Sequence, residues 1–373
     1  MTAKALSSMA AAAALTGGEL FYAQQAGTDV KVTTAQIKAT SYSGVDPTGA
    51  TDSTAGLQAA IDATPTGGTL IIPTGTYKLI GSGNRILNRT TAIRIIGDGL
   101  PILSIDSSVP STRDIIRFAP SVADSTGWQI SWISIYGGFG RHAIYLDCSG
   151  GASAGWIANS LFSDNVILAT AGGHSIHLNN NTTAGGLAYS TITRNLLDSV
   201  YLANSGDNIE ISYNTIYGVF TTNIALYGYS IVGAAATKII GNILAGTASL
   251  LTWDAGINVI IRDNEFEANV ANSGTSILSI SSVSGAHIAP QLLNNSIVGL
   301  NGTNITTGIS VLSGVDGTLI MGGRIDVPTA GTHISVLSGA LNTHIDSWSI
   351  CYSTHFVTGA ANNSNAGTGT LTR

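Results

Sequence analysis

The amino-acid sequence predicts an all-β protein whose chain winds into a parallel β-helix. A composition rich in strand and turn formers favours this fold, and so does an irregular repeat of short apolar strands that each end at an asparagine. One amphipathic segment around Leu57 predicts a short helix that caps the first coil. A cap is needed because the end of a coil stack otherwise exposes apolar side chains and unpaired strand edges.

The composition limits the classes of protein that the chain can form. Charged residues make up 10% of the 373 positions, against roughly 25% in an ordinary soluble domain, so uncharged polar residues must solvate the surface. Hydrophobic residues make up 44%, which supplies a sizeable core and argues against wholesale disorder. Helix formers are scarce, while glycine alone occurs 45 times. The net charge of −6 offers no basic surface, so nucleic-acid binding is not expected.

The two cysteines and the N-terminal segment point to no particular site or compartment. Cys148 and Cys351 lie about 200 residues apart, which suits neither a disulfide framework nor a metal cluster, so we expect two small buried side chains. No apolar run approaches the roughly 18 residues of a membrane-spanning helix, and we expect no membrane insertion. The alanine-rich start, residues 1–15, resembles a secretion signal, but alanine forms a weak apolar core and we interpret the segment as unprocessed.

The repeat becomes visible when short apolar strands are aligned on the asparagine that follows each of them. The intervals between successive asparagines run from 19 to 31 residues. The residues three positions before and two positions after each asparagine are Ile, Leu or Phe in every repeat. One apolar column on each side of a corner is what a parallel β-helix needs, because stacked coils place equivalent residues ~4.8 Å apart. The asparagines are Asn165, Asn195, Asn214, Asn242, Asn264 and Asn295.

We expect these asparagines to be structural. Asparagine adopts left-handed backbone at low cost, which suits a corner between two strands, and stacked amides can hydrogen-bond from coil to coil. The unequal intervals indicate that loops of different length leave the coils, and loops are where function tends to lie.

Residues 46–77 resemble a known signature. The segment Asp46–Thr54 (DPTGATDST), followed by Leu57–Ile61 (LQAAI) and Gly67–Tyr77 (GGTLIIPTGTY), resembles the opening of the pectate-lyase-like right-handed β-helix superfamily. The resemblance implies a right-handed coil, a short capping helix at about residues 53–63, and a first coil made by the Gly-Gly-strand-Pro-x-Gly-x-Tyr segment.

Helix physics agrees with that resemblance. Asp52 or Ser53 can cap the helix N-terminus. Leu57, Ala60 and Ile61 then fall on one face at i, i+3 and i+4, which can cover the open end of the stack.

The superfamily does not select a function, because lyases, hydrolases, epimerases and phage spikes all share its fold. The Asn-Thr-Asp, Asp-Asp and Arg-Ile-Lys strings of plant-type polygalacturonases do not occur here, and neither does the acidic cluster of calcium-dependent pectate lyases. A pectin-type activity is therefore not expected, and we expect neither a metal nor a cofactor.

The N-terminal residues carry a second resemblance. Leu15–Gly27 (LTGGELFYAQQAG) and Asp29–Ile37 (DVKVTTAQI) are similar to a short module at the head of many bacteriophage tail fibres and tail spikes. They indicate two small strands around a glycine turn. The resemblance implies a virion-anchoring module at residues 1–40, a β-helix over 41–357 and a flexible tail at 358–373.

Two glutamates are the best-placed candidates for chemistry. Strand alternation points Glu265 and Glu267 outward, with Phe266 inward between them. Residues i and i+2 of a strand are ~6.5 Å apart, at the lower edge of the separation in inverting glycosidases. We predict these two as catalytic acid and base if the chain is a glycoside hydrolase or polysaccharide lyase, with Arg262 nearby binding substrate. The alternative is a solvated pair that keeps a β surface soluble.

Aromatic residues in coils 128–267 favour a sugar-binding groove. Exposed rings can stack on the CH groups of a sugar while neighbouring polar groups bind its hydroxyls. Trp128 and Trp132 are predicted contacts, and so are Tyr217 and Asp198, which share an outward column one coil apart. Tyr136, Tyr213 and further aromatic residues also lie in these coils. The alternative is that at least half of the aromatic residues pack inside the coils or at subunit contacts.

Three histidines also lie in this region. His142, His174 and His177 lack a zinc-ligand spacing, and we expect them to be structural.

The leading functional interpretation, carried by resemblance, is a phage tail spike or tail fibre. It would bind, and in one version depolymerise, a bacterial surface polysaccharide, and it would act on the virion and outside the host cell. Its other partners would be phage tail or baseplate proteins bound through residues 1–40. The alternatives are a freestanding carbohydrate-active lyase or hydrolase and a passive structural protein of the virion.

A homotrimer is also expected. Ile240, Ile243 and Ile260 are predicted to face outward on adjacent coils, and exposed apolar patches usually mark interfaces that closed symmetry buries.

Overall fold

The structure of the protein is a computed structural model. It describes residues 20–25, 28–33, 36–81, 85–120, 124–137, 141–148, 156–168, 173–179, 186–203, 208–218, 224–227, 236–246, 249–254, 256–269, 275–282, 287–300, 305–327, 332–346, 349–350, 356–358 and 364–365. The fold is the predicted right-handed parallel β-helix, with very little helix. Three strand columns, here called faces A, B and C, run along its axis.

Faces A and B meet at the corner that the asparagines occupy. The strands of face A are Gln36–Lys38, Thr69–Pro73, Arg94–Asp98, Gln129–Ser131, Leu161–Ser163, Thr191–Thr193, Glu210–Ser212, Lys238–Ile240, Ile260–Arg262, the first halves of Gln291–Leu300 and Leu319–Asp326, His344–Asp346 and Ser364–Asn365. The strands of face B are Thr48–Asp52, Thr76–Leu79, Ile102–Ile105, Ser134–Tyr136, Val166–Leu168, Leu196–Leu197, Thr215–Gly218, Ile243–Gly246, Glu265–Asn269, the second halves of the two long strands, and Ser349–Ile350.

Face C closes each coil on the opposite side. Among the described residues, its parallel strands are Arg85–Arg89, Asp114–Phe118, Ile144–Asp147, Ile176–Asn179, Val200–Ala203, Ile224–Tyr227, Leu251–Asp254, Thr275–Ser281, Ile305–Val311, Thr332–Val336 and Phe356–Thr358. Two short parallel ladders lie between faces C and A: Asp124–Thr126, Trp156–Ala158 and Gly186–Ala188 form one, and Gly256–Ile257, His287–Ile288 and Val315–Asp316 form the other.

The core is the interior of the coil stack. Both apolar columns that flank the asparagines point inward, and their members are buried in all six repeats, with Phe162 and Phe266 among the largest buried side chains. Face C contributes a third inward column that includes Phe118 and Trp253. A core this continuous follows from strand alternation, since every second residue of each short strand must face the interior.

The asparagine ladder is present, but its backbone geometry differs from the prediction. Asn195 Nδ2 donates to Asn214 Oδ1 at 2.9 Å and to the Phe162 carbonyl at 2.9 Å, and the other described members repeat this pattern from coil to coil. The left-handed residue is the one before each asparagine, for example Arg194 (φ 54°) and Tyr213 (φ 55°). The asparagine side chain points into the stack to satisfy backbone groups there, so its neighbour makes the turn.

The capping helix spans Thr54–Ala63, within one residue of the predicted range. Leu57, Ala60 and Ile61 are buried, as the apolar face predicts. The carboxylate of Asp52 accepts a hydrogen bond from the Thr54 amide at 3.0 Å, so Asp52 serves the first turn. The alternative cap, Ser53, makes no such bond, because its hydroxyl accepts from the Asp46 amide.

The helix also protects the first strand of face C. The side-chain amide of Gln58 accepts from the Asn88 amide (2.8 Å) and donates to its carbonyl (2.9 Å), as a neighbouring strand would. Arg89 donates to the carbonyls of Ile61, Asp62 and Thr64 at the helix C-terminus. The exposed strand edge and the helix end therefore satisfy each other.

Strands near both ends of the chain lie outside the predicted limits of the β-helix. Leu20–Gln25 and Thr28–Thr33 form an antiparallel hairpin, the two small strands indicated by sequence. Gln36–Lys38 already pairs with face A, and Ser364–Asn365 pairs with His344–Asp346, so coil strands occur on both sides of the predicted limits 41–357.

Two further expectations concern the cysteines and the membrane. Cys148 is a buried free thiol whose pKa burial raises to about 12, whereas Cys351 lies outside the described residues. Within the described part of the chain, no helix is long and apolar enough to cross a membrane.

Candidate functional site

The corner between faces A and B presents a row of outward side chains. Each of these residues precedes the turn and has a left-handed backbone conformation. This conformation directs its side chain away from the core. From the coil of Gln129–Ser131 onward the row reads Trp132, Asp164, Arg194, Tyr213, Gly241, Asp263, Asn294 and Gly322. A bulky residue with positive φ is uncommon, so Trp132 (φ 61°) and Tyr213 (φ 55°) stand out in this row.

A second outward row runs beside the first along face B. The strand register aligns Tyr136 with Leu168, Tyr217 with Ala245, and Ala245 with Glu267. Leu197 pairs with Ile216, and the next step of that register places Asp198 beside Tyr217, as the sequence predicts. We call the two rows together, from the coil of Trp132 to that of Tyr217, the aromatic ridge.

Four aromatic side chains of the ridge are widely exposed. Trp132 is 53% exposed and Tyr136 44%, and three coils further on Tyr213 is 64% exposed and Tyr217 50%. Tyr213 and Tyr217 occupy the same two positions on their coil as Trp132 and Tyr136 on theirs, the corner and the fourth residue after it. The two pairs are therefore ~14 Å apart along the helix axis, three strand spacings.

The Tyr213 ring has a fixed resting place. A Cβ at Gly241, the next corner residue, would lie 2.8 Å from the ring carbon Cε1, so the ring rests on the glycine backbone. The glycine has φ +63°, a second reason why a side chain is disfavoured there. The ring is thus held with one surface supported and the rest exposed.

An ion pair fills the corner between the two aromatic pairs. Arg194 Nε and Nη2 donate to the two carboxylate oxygens of Asp164 at 2.7 and 2.8 Å. Hydrogen bonds from the guanidinium lower the pKa of Asp164 below its ordinary value. The guanidinium itself remains largely exposed, so it can offer further donors to a ligand.

The prediction for Trp128 was wrong. Trp128 is 0% exposed, its ring lies 4.3 Å from that of Phe118, and its Nε1 donates to Ser125 Oγ at 2.8 Å. Trp128 precedes a three-residue strand at an inward position, whereas Trp132 lies at the corner that ends the strand. Four residues of separation therefore place the two indoles on opposite sides of the coil wall, and Trp128 cannot contact a ligand on the surface.

The predicted catalytic pair lies on face B, closer to the C-terminal end of the coil stack than the aromatic ridge. Glu265 is exposed and Glu267 half-buried, both outward on Glu265–Asn269, while Phe266 between them is buried. Glu267 belongs to the outer row of face B, two coils beyond Tyr217. Arg262 is exposed on the last position of face A, with Nε 3.8 Å from Asp263. Asp198, Tyr217, Glu267 and Arg262 thus share one flank of the helix.

Tyr136 and Tyr213 lie in the coils that favoured a sugar-binding groove, but they were not among the residues predicted to contact substrate. The signal that identifies them is positional, since each occupies the same place relative to a corner as a residue that was predicted, Tyr217 or Trp132.

A different aromatic cluster covers face C and was also missed. His142, Tyr145, His174, His177 and Tyr201, here called the ring stack, lie nearly parallel to one another. The shortest centroid distances are 3.8 Å between His142 and His177 and 4.6 Å between His177 and Tyr201. Tyr145, His177 and Tyr201 are aligned on three consecutive strands. The sequence signal is the shared i, i+3 spacing of His142 with Tyr145 and of His174 with His177.

Burial holds the histidines of the ring stack neutral. It lowers the pKa of His142 to about 2, of His177 to about 3 and of His174 to about 4, and the neighbouring imidazoles lower those of His142 and His177 further. The His174 amide donates to His142 Nδ1 at 3.0 Å, which requires that nitrogen to be unprotonated. Groups with such low pKa values are weak bases at neutral pH, so the ring stack is not poised for proton transfer.

Ion pairs border the ring stack. Arg117 donates to Asp147 through Nε at 2.9 Å and through Nη2, and Arg141 donates to Asp114 at 2.9 and 2.6 Å. Both carboxylates are buried. Among the described residues, no group of three or more potential ligands is arranged to hold a metal ion.

The fold and its surface define a parallel β-helix protein with an exposed aromatic flank. No protein-family model matches the sequence, and no curated protein matches it either. Among solved structures, the chain is similar to the A-module of a mannuronan C-5 epimerase from Azotobacter vinelandii, with a TM-score of 0.57, 15% identity and 88% of each chain covered.

Two further solved structures are similar over most of the chain. A tailspike protein variant of E. coli bacteriophage HK620 has a TM-score of 0.53 and 12% identity, covering 92% of this chain and 83% of that one. The DFA-IIIase of Arthrobacter chlorophenolicus A6 has a TM-score of 0.53 and 13% identity, covering 91% and 99%. Identities this low show a shared fold and nothing finer.

Proposed function

We propose that this protein is a phage tail spike or tail fibre whose aromatic ridge binds a bacterial surface polysaccharide during adsorption. The observation that carries the proposal is the two pairs of exposed aromatic side chains on one flank of a rigid β-helix. Exposed indole and phenol rings bind sugars by stacking on CH groups, and the neighbouring carboxylates and guanidinium bind hydroxyls. The likeness to a phage tailspike and the N-terminal resemblance support the placement on a virion.

The same flank offers a pair of carboxyl groups for cleavage. In the proposed reaction one of Glu265 and Glu267 protonates the glycosidic oxygen. The other takes a proton from the water that attacks the anomeric carbon as the C–O bond breaks. Arg262 binds the substrate near the same turn. The likeness in fold to a mannuronan C-5 epimerase module and to a DFA-IIIase supports a role in carbohydrate chemistry.

A reducing-end assay on the purified chain tests cleavage. Glu265→Gln and Glu267→Gln should each lower the rate about a hundredfold or more without lowering the melting temperature, because amide and carboxyl have nearly the same shape. Glu210→Gln is the matched control, since Glu210 lies outward on face A and accepts a hydrogen bond from Ser212. Near-wild-type rates in both variants would leave Glu265 and Glu267 as solvated surface residues.

The placement on the virion and the assembly state have their own tests. Electron microscopy of phage particles with a labelled antibody should place the protein on the tail, and a protein secreted freely by the cell would contradict the proposal. The exposed Ile243 and the half-buried Ile240 and Ile260 favour a homotrimer, for which light scattering should give about three times 38.0 kDa. A mass near 38.0 kDa would refute the trimer.

A further inference from the structure

The two aromatic pairs of the ridge repeat at an interval that suits a ligand with a repeat of its own. We infer that the ridge holds an extended, uncharged polysaccharide parallel to the helix axis and contacts it through sugars about three units apart. This inference rests on the proposed function and adds the orientation, register and charge class of the glycan.

The spacing of the pairs sets the register. Trp132 and Tyr213 occupy equivalent corner positions three coils apart, and Tyr136 and Tyr217 repeat that relation on face B. An extended pyranose chain advances by nearly one strand spacing per sugar, so about three sugars separate the two aromatic pairs. A ligand that crossed the axis could reach one pair only.

The surface between the pairs is polar at the corner. The Asp164–Arg194 ion pair lies there, with the guanidinium exposed, while Leu168 and Asp198 lie beside it on face B. The ion pair and Asp198 offer donors and acceptors to the hydroxyls of the intervening sugars. The ridge therefore alternates between stacking sites and a hydrogen-bonding site, which suits successive sugars of one chain.

The charge of the flank selects uncharged glycans. From the coil of Trp132 to that of Glu267, the described strands and corners of faces A and B carry six carboxylates against three cations. The carboxylates are Asp164, Asp198, Glu210, Asp263, Glu265 and Glu267, and the cations are Arg194, Lys238 and Arg262. Arg194 and Arg262 each have an aspartate partner, at 2.7 and 3.8 Å. A polyuronate would meet net repulsion here, whereas neutral sugars would not.

The chain supplies a matched control for the exposed rings. Tyr189 is 57% exposed and also has a left-handed backbone (φ 47°), but it lies at the corner between the short ladder Gly186–Ala188 and face A. Asparagine is the replacement of choice, because the chain itself places left-handed asparagines at the equivalent positions Asn294 and Asn159. Trp132→Asn, Tyr213→Asn and Tyr189→Asn therefore remove a ring without straining the corner.

The test is calorimetric titration of the full chain with size-fractionated oligosaccharides from neutral and from uronate-containing bacterial polysaccharides. For neutral oligosaccharides of about six sugars, Trp132→Asn and Tyr213→Asn should each weaken binding about tenfold, because one of two linked contacts is lost. For those of about two sugars, which reach one pair only, the loss should be at most about twofold. Tyr189→Asn should leave the affinity for both oligosaccharide lengths unchanged.

The outcomes separate the inference from the function on which it rests. Tighter binding of the uronate series, or losses that do not depend on oligosaccharide length, would overturn the inference while polysaccharide binding stands. A change in oligomeric mass in Trp132→Asn or Tyr213→Asn would overturn it too, since the ridge would then be a subunit contact. If the unaltered chain binds no glycan of either series, the proposed function itself fails.

Discussion

The aromatic ridge and the ring stack are both rich in aromatic side chains, yet they leave the rings in opposite states. In the ring stack, residues on consecutive coils place their rings 3.8–5.6 Å apart, so each ring covers the face of the next. On the ridge, the aromatic pairs are three coils apart, and glycine, alanine, leucine or charged residues occupy the coils between or beyond. In the ring stack, neighbouring rings cover each other's faces, whereas the ring faces of the ridge remain exposed.

A β-helix can thus hold one residue type in two different states. The strand spacing of ~4.8 Å is close to the stacking distance of two rings, so aromatic residues on adjacent coils satisfy each other. When the interval grows beyond one coil, no neighbour can cover the ring. The number of coils between aromatic residues thus separates rings that pack on each other from rings that stay exposed.

Acid should affect the ring stack far more than the ridge. The folded stack lowers the pKa values of His142, His174 and His177 from the ordinary 6.5, so below pH 6.5 the unfolded chain binds protons that the folded chain refuses. The free energy of unfolding should therefore fall as the pH drops from 6.5, with His174 contributing down to about pH 4 and the others lower. The slope is at most about 1.4 kcal/mol per pH unit for each histidine, or up to about 6 kcal/mol by pH 5.

Urea unfolding between pH 7 and pH 5 measures this loss. His177→Phe keeps a ring in the stack but removes one titrating group, so its pH slope should be about two thirds of the wild-type slope. Identical slopes in the two proteins would show that the histidines of the stack titrate normally when folded.

Removing one partner of an ion pair should also distinguish the two regions. Arg117→Met leaves the buried carboxylate of Asp147 without its guanidinium, and we expect a loss of about 3–5 kcal/mol in the free energy of unfolding. Arg194→Met on the ridge removes the partner of Asp164 from an exposed pair, which should cost about 0–1 kcal/mol. Denaturant unfolding of both variants checks this, and equal losses would contradict the difference in burial.

A small effect is also expected from the glycine beneath Tyr213. Gly241→Ala places a Cβ 2.8 Å from the original position of the ring and puts alanine at φ +63°, which should cost about 1–2 kcal/mol in stability. The displaced ring should weaken binding of long oligosaccharides by a few fold, less than Tyr213→Asn does. A variant with unchanged affinity would show that the position of the ring on its glycine support is unimportant.

Much of the fold could be predicted because it depends on local alternation. The apolar residues on each side of Asn195 or Asn264 must face inward wherever the strand lies, and the i, i+3, i+4 face of Leu57, Ala60 and Ile61 needs a core to cover. Burial of these residues required no knowledge of which coils are neighbours.

The candidate site was predictable only in part. Outward positions such as Glu265, Glu267 and Tyr217 follow from the same alternation, and the structure places them outward. Trp128 was misjudged because a four-residue step spans both sides of a short strand and its corner. The sequence placed Asp198 and Tyr217 in one outward column. The strand register agrees, and it adds Glu267 to that column two coils further on.

What the sequence determined by itself was which side chains point inward or outward and where the chain turns, because both depend on residues close together in the chain. What only the tertiary structure decided was which outward residues are neighbours along the helix axis. Coils of 32, 30 and 19 residues separate Trp132 from Tyr213, and the stacking of the coils brings His142 onto His177. Those relations depend on the length and path of every intervening loop, so no local pattern contains them.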